Sequence, residues 1–169
     1  MKLSTFAFKA MYFVKSWIVS VLLIPICIYL LTTRGHYTLI DNADLVIHEG
    51  GHVVFMFFGK FIYTLGGTLM QIIIPSLIAL FFLKNNYRTG VQIGLLWLGQ
   101  NLLNISVYAA DATARKLPLL GGNKVYHDWN YILTQLNILQ YDAEVGYFFV
   151  LLASLSFLTA VLMPLIIRD

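Results

Sequence analysis

The chain alternates long apolar runs with short polar breaks. Four runs, residues 17–33, 62–84, 90–111 and 144–167, each approach or exceed the length needed to cross a bilayer. A hydrocarbon core of roughly 30 Å takes about 20 apolar residues in a helix. A fifth stretch, residues 41–60, is apolar enough to be membrane-embedded only if His48, Glu49 and His52 are satisfied inside the protein. The pattern predicts an all-α, polytopic integral membrane helix bundle: four transmembrane spans plus a fifth membrane-embedded helix, in a single domain over residues 1–169. Residues 113–142 read as a loop and an interfacial helix. Pro118 and the pair Gly121, Gly122 punctuate the loop, and Asp128 is expected to cap a short helix whose Trp129, Tyr131, Ile132 and Leu136 suit a membrane surface.

Composition fixes the solvent. The chain is 59% hydrophobic and only 11% charged, against near 25% charged in soluble domains. A net charge of +3, with basic residues placed singly at the ends of apolar runs, anchors helices in headgroups and gives no support to nucleic-acid binding. The single cysteine, Cys27, excludes a disulfide framework or a Cys-rich metal site within the chain. Lys2, Lys9 and Lys15 precede the first run, and no small-x-small cleavage pattern follows it, which reads as a retained signal anchor. If all five segments cross, seven Lys and Arg fall on the N-terminal side and four on the other; if the 41–60 segment is re-entrant, the split is six against five. The first arrangement, with a cytoplasmic N-terminus, is the better positive-inside distribution.

Within the 41–60 segment the chain reads Ile-His-Glu-Gly-Gly-His-Val-Val from Ile47 to Val54. On a helix, His48 and His52 lie one turn apart on one face, so both imidazoles reach one metal ion. Glu49 beside them has the place of a general base acting on water at the metal. A chain of this length shows such a pattern by chance less than about one time in a hundred. Buried in an apolar helix, the three residues require a partner, and Zn²⁺ is the natural one. Gly50 and Gly51 each cost a helix about 1 kcal/mol relative to Ala, and close approach of a neighbouring helix or of substrate is one return for that cost.

The His48-Glu49-Gly50-Gly51-His52 motif in a small polytopic chain resembles the intramembrane zinc metalloproteases of the site-2 protease type, over about residues 41 to 128. The resemblance implies a peptidase in which His48 and His52 bind zinc and Glu49 is the base. In that family a later Leu-Asp-Gly supplies an aspartate as third ligand. Here the corresponding stretch is Leu-Pro-Leu-Leu-Gly-Gly, with Leu120 where that aspartate would stand. The third ligand is therefore sought among the remaining acids and histidines. His36, Asp41 and Asp44 are expected to cap or flank the motif helix, and Asp142 and Glu144 to suit the N-terminus of the last span. That leaves Asp111, His127 and Asp128, the last either as a ligand or as the carboxylate orienting His127.

Trp97, Asn101, Asn104, Tyr108 and Asp111 recur at intervals of four, three, four and three, one face of a helix. Such a face turns toward protein or a water-filled cavity. Thr64, Thr68, Gln71 and Pro75 form a second polar face, and Gly66 and Gly67 permit a kink or irregular turn beside it. Gln71 and Asn104 are candidate donors to substrate or an oxyanion. The expected function is a membrane-embedded zinc metalloprotease acting on a membrane protein or peptide at or within the lipid bilayer, with partner subunits left open. Two other classes fit the sequence: a catalytically silent metal-binding or scaffold subunit, and a metal-dependent hydrolase of a lipid-like substrate.

Overall fold

The computed structural model describes residues 2–117 and 126–167, with side chains from residue 15 onward. Leu120 and the Gly121-Gly122 pair lie outside the described residues. The fold is all-helical, with no strand among the described residues. Among the described residues six α-helices follow in order: α1 (Lys2–Thr32), α2 (Leu39–Val54), α3 (Gly59–Lys84), α4 (Arg88–Ala110), α5 (Asp128–Gln135) and α6 (Asp142–Leu162).

Three helical stretches are long and apolar enough to cross a membrane: Lys15–Thr32, Gly59–Lys84 and Leu139–Leu165. The fourth expected run does form α4, which has the length but is diluted by Arg88, Gln92, Gln100, Asn101 and Asn104. The reason is its position. α4 packs against α1, α3, α5 and α6, so its polar side chains face protein, and Gln92 is fully buried while donating to Ser20 Oγ and the Ala160 carbonyl, both at 2.9 Å. The periphery is apolar: Ile18, Val21 and Leu22 on α1, Leu77 and Phe81 on α3, and Phe148, Leu151 and Leu158 on α6 are exposed. Polar-inside, apolar-outside is the arrangement expected where lipid is the solvent.

Side-chain pairings fix the directions of the helices. α6 runs antiparallel to α4, since Gly146 packs on Ser106 and Ala110, and Phe157 on Gly99. α3 is also antiparallel to α4, with Phe82 against Gly90, Ala79 against Gly94 and Gln71 reaching Asn101. α1 is parallel to α4, with Ser20 beside Gln92 and Gly35 beside Val107. The end of α1 and the start of α3 therefore lie at the same end of the bundle. Because α2 joins them, it enters the bundle and returns to the end it left.

α2 starts on a capping box in which the Thr38 N–H and the Asp41 side chain are paired, the role expected of Asp41. Its buried positions, Asp41, Asp44, His48 and Gly51, are spaced three, four and three apart. This single polar face turns inward, while Val46, Val53 and Val54 face outward. α3 is one continuous helix through Gly66, Gly67 and Pro75, so no irregular turn interrupts it there. The glycines serve close approach instead: a Cβ on Gly51 would collide with the Gly66 carbonyl, and one on Gly67 would lie 2.5 Å from His48 Nε2. Gly50 has open space around its Cβ direction and takes no part in that crossing.

Candidate metal centre

The α2–α3 crossing places the two motif histidines side by side, with ring centroids 4.9 Å apart and planes at 82°. Each ring is held through Nδ1. His48 Nδ1 lies 2.9 Å from Gln71 Oε1, and His52 Nδ1 lies 2.8 Å from the Tyr63 carbonyl. Both Nε2 atoms then point at one oxygen, Asp128 Oδ2, at 2.9 Å from His48 and 3.3 Å from His52. The three ligand atoms lie within 4.8 Å of one another and form the one group among the described residues able to hold a metal ion.

The donor set fits a cation. The Tyr63 carbonyl can only accept, so His52 carries a proton on Nδ1, and the neutral ring turns the lone pair of Nε2 toward Asp128. A carboxylate oxygen facing an imidazole lone pair is repulsive unless a positive charge, a metal ion or an added proton, sits between them. Zinc bonds of about 2.0–2.1 Å in a tetrahedron set neighbouring ligand atoms about 3.3 Å apart, close to the 2.9 and 3.3 Å from Asp128 Oδ2 to the two imidazoles.

Asp128 comes from α5, and its position has identifiable causes. Its backbone N–H donates to the Tyr108 hydroxyl at 3.1 Å. Trp129, Ile132 and Leu133 are buried, and Trp129 meets Phe149 edge-on at 5.3 Å. The expected membrane-surface face of this helix is thus mostly packed into the bundle. Lys60 at the start of α3 lies over Tyr131 at 4.7 Å and Tyr126 at 5.3 Å, tying α5 to α3 by cation–π contact.

The other two candidates for the third ligand lie together, apart from this cluster. His127, not Asp128, is the N-cap of α5: its Nδ1 accepts from the Asn130 N–H at 3.2 Å. Its Nε2 faces Asp111 Oδ2 at 3.5 Å. Burial pushes the His127 imidazole down, and the nearby Asp111 carboxylate opposes that shift. Asp111 also accepts from the Lys116 and Leu117 N–H groups, both at 2.9 Å, and so closes the turn after α4. Both residues are committed to holding the entry to α5.

The polar face of α4 is committed in the same way. Trp97 Nε1 and Asn101 Nδ2 donate to Asp44 Oδ1 at 2.8 and 3.0 Å, and Gln100 Nε2 donates to Asp41 Oδ1 at 2.8 Å. Asn104 Nδ2 bridges the two carboxylates at 2.6 and 3.1 Å, and the residue lines the cavity beside the histidines. Gln71, which also lines the cavity, faces His48 with its oxygen and Asn101 with its nitrogen. Sequence reading missed the Tyr63 carbonyl, for which a backbone group offers no signal, and Asp44, which is 1% exposed. The spacing of Asp41, Asp44 and His48 was the available sign that all three share the inward face.

A cavity of about 820 Å³ opens onto the cluster. Glu49, exposed, lines it together with His48, His52, Tyr108, Asp128 and Tyr131. Three potential ligand atoms and a further carboxylate are thus brought onto one cavity lining. No protein family, curated protein or solved structure matches the chain.

Proposed function

We infer that the protein is a membrane-embedded zinc metalloprotease, a compact and divergent relative of the site-2 protease type, cutting a peptide bond at or within the bilayer. The observation that carries this reading is the convergence of His48 Nε2, His52 Nε2 and Asp128 Oδ2 beside Glu49 on one cavity. Asp128 takes the place of third ligand. Zinc bound there supplies a Lewis acid that polarises a carbonyl and makes water a nucleophile near neutral pH. Glu49 takes the proton from the attacking water and passes it to the leaving amine. The Tyr63 carbonyl and Gln71 keep the two imidazoles oriented through the cycle.

In this reading α1, α3, α4 and α6 cross the membrane and α2 is re-entrant, with the N-terminus cytoplasmic. Irregular backbone at the end of α2 is tolerable because its inner face is buried in protein. The substrate is a membrane protein or peptide whose strand reaches the cavity from the bundle end that bears α5.

Glu49→Gln is the discriminating variant. Dye-quenched transmembrane peptides in micelles should be cut by the unaltered protein, and the variant should lose cleavage by at least about 100-fold, the scale of general-base catalysis, while keeping its zinc. Retained cleavage in the variant would reject Glu49 as base. Zinc binding with no cleavage of any peptide by the unaltered protein would favour a silent metal-binding subunit or a lipid hydrolase.

A further inference from the structure

Four residues form a chain from the centre of the bundle to the metal cluster: Asp44, Asn101, Gln71 and His48. Asn101 Nδ2 lies 3.0 Å from Asp44 Oδ1 and 3.1 Å from the Trp97 carbonyl. Both are pure acceptors when Asp44 is ionised, so Asn101 must present its amino group to them. Its oxygen is then left facing Gln71, at 3.3 Å from Gln71 Nε2. Gln71 must therefore donate there, which leaves its Oε1 to accept from His48 Nδ1 at 2.9 Å. Each amide in the series can point only one way because the residue before it can only accept.

This direction matters for His48 more than for any other residue. If Gln71 were reversed, its amino group would donate to His48 Nδ1, and His48 Nε2 would carry the proton and donate it to Asp128. The cluster would then be a satisfied His–Asp hydrogen bond with no lone pair for a metal. We propose that Asp44 and Asn101 are positioning residues that, through Gln71, hold the His48 proton on Nδ1 and keep Nε2 available as a ligand. Asp44 thus acts on the metal site without touching it. His52 needs no such device, because the Tyr63 carbonyl cannot reverse. Asp44, Asn101 and Gln71 are 1%, 0% and 6% exposed; Asp44 and Gln71 touch the cavity, whereas Asn101, the link between them, does not and is the residue kept from a substitute donor or acceptor in solvent.

The inference rests on the zinc-site reading, and its test separates the two. In the metal-free full-length protein in micelles, ¹⁵N NMR of the imidazoles, with His48 assigned by its loss in His48→Asn, should show the His48 proton on Nδ1. Finding it on Nε2 overturns the proposal whether or not the protein binds zinc. Asp44→Asn removes the charged one of the acceptors that hold the Asn101 amino group and leaves the Trp97 carbonyl; it should bring the Nε2-protonated form into the spectrum beside the Nδ1-protonated one and weaken zinc binding, measured by chelator competition, by roughly 10- to 100-fold.

The second variant supplies the control for a merely structural role. Gln71→Glu places an acceptor against His48 Nδ1 whatever lies upstream, but in the presence of Asp44 it faces the Asn101 oxygen. Alone it should weaken zinc binding, and combined with Asp44→Asn it should restore affinity to within about threefold of the unaltered protein, because Asn101, no longer held by the Asp44 carboxylate, can then turn its amino group from the Trp97 carbonyl to the new carboxylate at position 71. Losses that simply add in the double variant would overturn the proposal. An unaltered protein that binds no zinc but shows the Nδ1-protonated His48 would sink the zinc reading and leave the orienting chain standing.

Discussion

Replacing Gly67 with Ala tests whether the α2–α3 crossing sets the metal geometry. In an unconstrained helix interior, Gly→Ala stabilises by about 1 kcal/mol. At Gly67 the added Cβ would lie 2.5 Å from both Cε1 and Nε2 of His48, about 1 Å inside ordinary contact of roughly 3.5 Å. Relieving that overlap moves the imidazole or lifts α2 from α3, a strain costing about 1–3 kcal/mol. The helix gain offsets part of it, so Gly67→Ala should destabilise by about 0–2 kcal/mol. A shift of about 1 Å in Nε2 also spoils a ligand that must sit near 2.0–2.1 Å from zinc, so affinity should drop sharply. Gly50→Ala is the matched comparison: nothing lies within 4 Å of its Cβ, and it should stabilise by up to about 1 kcal/mol with unchanged zinc affinity. Thermal unfolding in micelles, with and without zinc, reads both. Equal stabilisation by the two substitutions, with zinc affinity preserved in each, would refute the reasoning.

Two further outcomes follow from the fold and the loop. In a Cys27→Ser background, Arg34→Cys and Lys60→Cys should react with an impermeant maleimide from the same side of the membrane and Asn85→Cys from the other; labelling of the first two from opposite sides would reject a re-entrant α2. Asp111→Asn should keep the zinc but destabilise the protein by about 1–3 kcal/mol, since it disturbs an acceptor for two backbone N–H groups and the neighbour of His127, and loss of zinc on that substitution would place Asp111 closer to the metal than its contacts allow.

The helices and the motif pair were legible because both are local. Apolar run length marks a membrane helix, and the spacing of His48 and His52 puts them on one face. What closes the site depends on which helix ends share one end of the bundle, and no local pattern carries that. Asp128 was among the candidates, yet the sequence could not rank it above Asp111 or His127, because the choice is made by the turn after α4 and by Tyr108 holding the Asp128 backbone. The polar stripe on α4 was legible as inward-facing. Its partners, Asp41 and Asp44, read from sequence as caps or flanks of the motif helix; Asp41 does cap it, and both also sit on the same buried face as His48. Gly51, Gly66 and Gly67 illustrate the same limit: glycine advertises a close approach or a turn, and only the neighbouring helix decides which.

The central claim is that His48, His52 and Asp128 together hold one metal ion, and metal analysis of the purified full-length protein tests it most directly. About one equivalent of zinc should co-purify with the unaltered chain, should be lost on His48→Ala and on Asp128→Ala, and should remain on His127→Ala. A chain with no stoichiometric metal, or one that keeps its zinc without Asp128 and loses it without His127, would contradict the account.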